Sequence, residues 1–133
     1  MRNVKVIISW TDNYGAYCDL VPGCIATHRT LDGVKQAFVE ALQMHIQGMV
    51  EDGDQVPPEL CGKYEIGFHL NVRALLHYTE GIVPRTALAR VSGINEKQLG
   101  HYATGWRNPR PDMQQKIVKG IHDLGRQLLA ISL

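Results

Sequence analysis

The stretch Thr86-Ala87-Leu88-Ala89-Arg90-Val91-Ser92-Gly93-Ile94-Asn95-Glu96-Lys97-Gln98-Leu99 decides the reading of the chain. Two short helices that cross steeply need a small residue where their backbones approach, and Ala89 supplies it. They also need a tight turn, which Gly93 gives, and apolar residues around it (Leu88, Ile94, Leu99) to lock the angle. Asn95 is a good cap for the second helix. The polar start of that helix faces outward, where base edges would be read. The sequence predicts a helix-turn-helix element that binds DNA.

Helical signals continue on both sides of this stretch. Val72, Leu75, Leu76 and Tyr78 mark a short helix ending near Gly81, with Asn71 able to cap it. Pro84 opens the next, carried by Ala87, Leu88, Ala89 and Val91. A third runs from Asn95 to Thr104, and Gly105 can end it in the left-handed conformation. After Trp106-Arg107-Asn108-Pro109-Arg110, Pro111 and Asp112 start a last helix, and Met113, Ile117, Ile121, Leu124 and Leu128 line its buried side. Trp106 is expected to pack on the domain. Residues 71–133 are therefore predicted to form an all-α DNA-binding domain.

Residues 1–70 read differently. Val4-Lys5-Val6-Ile7-Ile8-Ser9-Trp10 is rich in β-branched residues and ends in the turn cluster Thr11-Asp12-Asn13. Tyr14–Leu20 and Cys24–Arg29 flank the turn Val21-Pro22-Gly23 and complete an antiparallel meander. Thr30 caps a helix whose stripe is Val34, Ala37, Phe38, Ala41, Leu42, His45, Ile46 and Met49. The Pro57-Pro58 loop follows, then a fourth alternating strand from Lys63 to Leu70. The predicted order is β-β-β-α-β, an α+β unit with a helix on one sheet face.

Composition bounds the function. The 133 residues are 44% hydrophobic with a formal net charge of +1, which hides an asymmetry. Residues 1–71 carry five Lys/Arg against nine Asp/Glu, a balance of −4, whereas residues 72–133 carry nine against four, a balance of +5. A basic half attracts phosphate backbones and an acidic half suits a cationic protein. No apolar run is long enough for a membrane span and no signal peptide is seen, so a cytoplasmic protein is expected. Cys18, Cys24 and Cys61 form no CxxC pair and read as structural or surface thiols of a reducing cytoplasm. His28, His69 and His45 lack ligand spacing, so no metal, cofactor or catalytic constellation is expected.

The Ala87-Leu88-Ala89-Arg90-x-x-Gly93-Ile94-Asn95-x-x-Gln98-Leu99 pattern, with Tyr102-Ala103-Thr104-Gly105 and Pro109, resembles the lambda-repressor-like (Xre-type) helix-turn-helix. Tyr17-x-x-Leu20, Pro22-Gly23-Cys24, Thr30 and the following helix resemble the N-terminal domain of HicB antitoxins. Taken together, the chain resembles a HicB-type antitoxin with a C-terminal helix-turn-helix. That resemblance implies a truncated ribonuclease-H-like first domain that blocks a small, basic, HicA-type mRNA-cleaving toxin. It also implies a second domain that binds operator DNA and represses the antitoxin's own operon, in a protein that is not an enzyme. The chain departs from the repressor pattern at the start of the second helix, where Arg85 and Thr86 replace the usual Gln.

Candidate contacts follow from the pattern. Asn95, Glu96, Lys97, Gln98 and His101 are candidates for base edges, Gln98 for adenine and Lys97 for guanine or phosphate. Arg85, Thr86, Tyr102, Arg107 and Arg110 are candidates for phosphates. Trp10 and Tyr17 are candidates for the toxin-facing patch. A homodimer or higher homo-oligomer is expected because such elements read paired half-sites, with the apolar end of the last helix contributing. Two other readings compete. One is a stand-alone regulator whose first domain serves assembly or ligand sensing. The other is a nuclease using Asp12, Asp19 and Glu65, which would have to converge on paired metals.

Overall fold

The structure is a computed structural model and describes residues 2–133. Four strands, β1 (Arg2–Trp10), β2 (Tyr14–Tyr17), β3 (Ile25–His28) and β4 (Tyr64–Leu70), form one sheet in the order β3-β2-β1-β4. β1 pairs antiparallel with β2, and β2 with β3. β4 instead runs parallel to β1, from Arg2 opposite Tyr64 to Ile8 opposite Leu70. The sheet is mixed because helix α1 (Leu31–Glu51) leads the chain from the β3 edge to the β4 edge before it re-enters.

Alternation in β1 sends Val4, Val6 and Ile8 to one face, where each is 1% exposed or less. α1 covers that face with Val34, Phe38 and Leu42, all fully buried. The Thr30 hydroxyl starts this helix by accepting from the Gly33 N–H at 3.0 Å. A short 3₁₀ turn, Pro58–Leu60, follows the proline loop, and the Arg2 guanidinium donates to the Pro58 carbonyl.

Four further helices follow: α2 (Val72–Glu80), α3 (Arg85–Ser92), α4 (Glu96–Thr104) and α5 (Pro111–Leu129). The expected fold class, a truncated ribonuclease-H-like unit followed by a separate all-α domain from Asn71, is corrected here. The described residues form a small α+β protein with a mixed four-stranded sheet and five α-helices, and among them no all-α domain is set apart at Asn71. The reason lies at the junction. The Asn71 N–H donates to the Ile8 carbonyl at 2.9 Å, and the Asn71 side chain accepts from the Ala74 N–H at 2.9 Å. Ala74 is fully buried in the sheet's own core. The first turn of α2 thus belongs to the sheet, and the chain divides into two compact units inside that helix, between Ala74 and Leu75.

Within the second unit, Leu76, Leu88, Ile94, Leu99, Tyr102 and Ile117 are buried. α3 packs on both α4 and α5. Gly120 marks the approach of α5 to the end of α3, since a Cβ there would lie 2.9 Å from backbone atoms of Val91 and Ser92.

Candidate nucleic-acid interface

α3 and α4 are joined by a turn whose every residue has a local cause. Gly93 ends α3 at φ +73°, the left-handed conformation that glycine adopts without strain. Ser92 is buried, and its hydroxyl accepts from the Ile94 N–H at 3.2 Å. Ile94 is buried beside the turn, and the Asn95 side chain caps α4 by accepting from the Gln98 N–H at 2.8 Å. Asn95, Glu96 and Lys97 are exposed in the first turn of α4.

The next turn of α4 is less open. The Gln98 side-chain amide donates to the Tyr102 hydroxyl at 2.8 Å, and Tyr102 is only 4% exposed. Tyr102 is thus mostly buried, with its hydroxyl against the Gln98 amide. His101 is half-buried, and its Nδ1 is sealed from solvent without a hydrogen-bond partner. The Arg85 guanidinium pairs with Glu80 and lies against Gly100, where a Cβ would meet Nη1 at 3.1 Å. Arg85 is thus held along α4 at the start of α3, and Thr86 beside it is exposed.

Past Gly105, which ends α4 at φ +82°, the chain turns outward. Trp106 is 69% exposed, contrary to the expected packing. Its ring meets His101 edge-on at 4.3 Å between centroids, and the Arg107 guanidinium lies 5.5 Å from its centroid. Arg107 and Arg110 join Gln98, Tyr102, Asn108 and Asp112 around a cleft of about 270 Å³ at the amino end of α5. No side chain caps α5, so the positive end of its dipole faces this cleft. Two guanidiniums and two amides suit a phosphate; the Asp112 carboxylate adds one opposing charge. Sequence reasoning missed Asn108 and the exposure of Trp106; the polar Arg107-Asn108-Pro109-Arg110 run was the available signal.

The first unit has its own open surface, the sheet face away from α1. Register aligns Ile25, Tyr17, Ile7 and His69 in one row across all four strands. Tyr17 is 42% and Ile25 63% exposed. A groove of about 330 Å³ beside Ile7 is lined by Lys5, Asp19 and Glu59 among others. Trp10 lies on the opposite face, edge-on to buried Tyr14 at 4.9 Å.

No known family model matches the chain, and no curated protein matches it. Among the described residues no group of three or more His, Cys, Asp or Glu side chains is placed to hold a metal ion, which removes the support for Asp12, Asp19 and Glu65 as a two-metal centre. No described helix is long and apolar enough to cross a membrane.

Proposed function

We propose that this protein is a DNA-binding repressor that also captures a cationic protein partner, the dual role of a HicB-type antitoxin. In this reading α4 enters the major groove by its amino end. Lys97 and Gln98 meet bases, with Asn95, Glu96 and the His101 Nε2 around them. Arg107 and Arg110 hold the flanking phosphate in the cleft at the start of α5, and Arg85 and Thr86 approach the backbone from the start of α3. The observation that carries the reading is this adjacency: a capped, exposed helix start beside a two-arginine cleft at a second helix terminus.

The acidic first unit would hold the partner, a small basic toxin of the HicA type that cleaves mRNA. Complementary potential supports this, and the Ile25–Tyr17–Ile7 row offers apolar ground for a contact. A homodimer would present two copies of α4 to paired half-sites. Its contact would use the end of α5, where Leu128, Leu129 and Ile131 are 58%, 87% and 68% exposed.

The test uses the full chain and a duplex from immediately upstream of its own reading frame. Tighter binding to this duplex than to a shuffled one of equal length, at near-physiological salt, is the expected result. Equal affinity for both would overturn operator recognition. Co-purification of a small basic protein from the adjacent reading frame is expected for the antitoxin role. Specific DNA binding without such a partner would leave a stand-alone regulator in its place.

A further inference from the structure

β2 ends at Tyr17 and β3 begins at Ile25, and these two residues are ladder partners. Cys18 and Cys24 each lie one residue beyond that last pair, on the two sides of the same hairpin. Two successive tight turns close the chain between them. The Val21 N–H donates to the Cys18 carbonyl at 3.2 Å, and the Cys24 N–H donates to the Val21 carbonyl at 3.0 Å. Pro22 followed by Gly23 at φ +90° is what the second turn requires.

Both thiols are on the core side of the hairpin. Cys18 continues the buried series Tyr14, Ala16, and Cys24 precedes buried Ala26; each cysteine is 4% exposed. Directly opposed residues in antiparallel pairs have Cα atoms about 4.5–5.5 Å apart. That lies within the span of about 4.4–6.8 Å that a disulfide bridges. Burial, and then the charge of Cys18, raise the Cys24 pKa above its ordinary value. A groove of about 240 Å³ beside the turn is lined by Cys18 and Cys24 with Tyr17, Val21, Pro22 and Ile25.

We propose that Cys18 and Cys24 form an intramolecular disulfide when a small disulfide such as oxidised glutathione is present. One protein thiolate attacks a sulfur of the oxidised glutathione, forming a mixed disulfide and expelling one glutathione thiolate. The second protein thiolate attacks the protein sulfur of that mixed disulfide and expels the other. The two protons lost by the protein thiols end on the two glutathione molecules, which are reduced as the protein pair is oxidised. The new bond staples the turn that adjoins Tyr17 and Ile25, at the end of the exposed apolar row. Cys61 is exposed and lies outside this pair.

The experiment uses the full-length chain carrying Cys61→Ser, which prevents linkage between molecules. The folded protein is incubated with oxidised glutathione, quenched with iodoacetamide and digested with trypsin. No Lys or Arg lies between Val6 and Arg29, so both cysteines fall in one peptide. Expected is that peptide unalkylated and lighter by the mass of two hydrogen atoms, its formation faster at higher pH, with a raised Tm that returns on reduction. Full alkylation of both thiols, or glutathione adducts without the internal bond, would overturn the proposal. So would a bond that forms only under denaturing conditions. Cys18→Ser and Cys24→Ser should each abolish the lighter peptide. Because the first measurement needs neither variant, a misfolded variant does not blunt the test.

Discussion

At Gly120 of α5 an added Cβ would lie 2.9 Å from the Ser92 nitrogen and from the Val91 carbonyl carbon and oxygen. These are backbone atoms, which cannot swing aside as a side chain can. Gly120→Ala is expected to destabilise the protein by ~1–3 kcal/mol, the usual effect of overpacking. Gly125, five residues further along the helix, has nothing within 4 Å of its would-be Cβ. Gly125→Ala should instead stabilise by ~0.5–1 kcal/mol, through helix propensity and a less flexible unfolded chain. Urea unfolding of both variants checks the opposite signs; a loss of equal size in each would refute the close approach at Gly120. Cys24 gives a pH-dependent counterpart. Its raised pKa means that the folded state holds the thiol proton more tightly than the unfolded chain. Its contribution is thus present below the ordinary thiol range and lost as pH rises through and above it. Wild type minus Cys24→Ala stability, followed from neutral to alkaline pH by urea unfolding, should shrink; a flat difference would deny the shift.

At the scale of the element, the contacts proposed for α4 are divided along its length. Gln98 is oriented by the Tyr102 hydroxyl, so its amide is held in one direction. Gln98→Ala is expected to lose ~1–3 kcal/mol of DNA binding at one base position, and to relax discrimination there. Arg107, stacked by Trp106 at the cleft, holds backbone in this reading, so Arg107→Ala should weaken all sequences alike and lower the salt slope by ~1. Titration against an operator set with single-base changes, at several salt concentrations, separates the two. A uniform loss from Gln98→Ala would remove its base-reading role. Much of this element was legible: Asn95 as cap, Gly93 and Gly105 as stops, Leu99 as the buried anchor. The burial of Tyr102 follows from its spacing of three from Leu99, which places both on the same helix face.

For the whole molecule, charge and exposed apolar surface bear on assembly. The apolar stripe of α5 runs on past its buried residues Ile117 and Gly120 to Leu128 and Leu129, which are exposed. Leu129→Asp is expected to convert a dimer to a monomer in sedimentation velocity at micromolar concentration, with little change in Tm of the monomer. A wild-type chain that sediments only as monomer would refute the dimer. The sequence by itself determined what acts over a few residues. Caps at Thr30 and Asn95, the turn at Pro22-Gly23, the stripe Val34–Phe38–Leu42 and the separation of charge are all written in local spacing. Only the tertiary structure decided that β4 lies parallel to β1, because alternating strands carry the same pattern in either direction. It also decided that Ala74 serves the sheet's core, that Arg85 is held along α4, and that Gln98, Tyr102, Arg107 and Arg110 border one cleft. The short helices α3 and α4 and the turn between them were legible because such elements are set by neighbours; their place in the molecule depends on distant residues that meet only when their apolar surfaces are buried together.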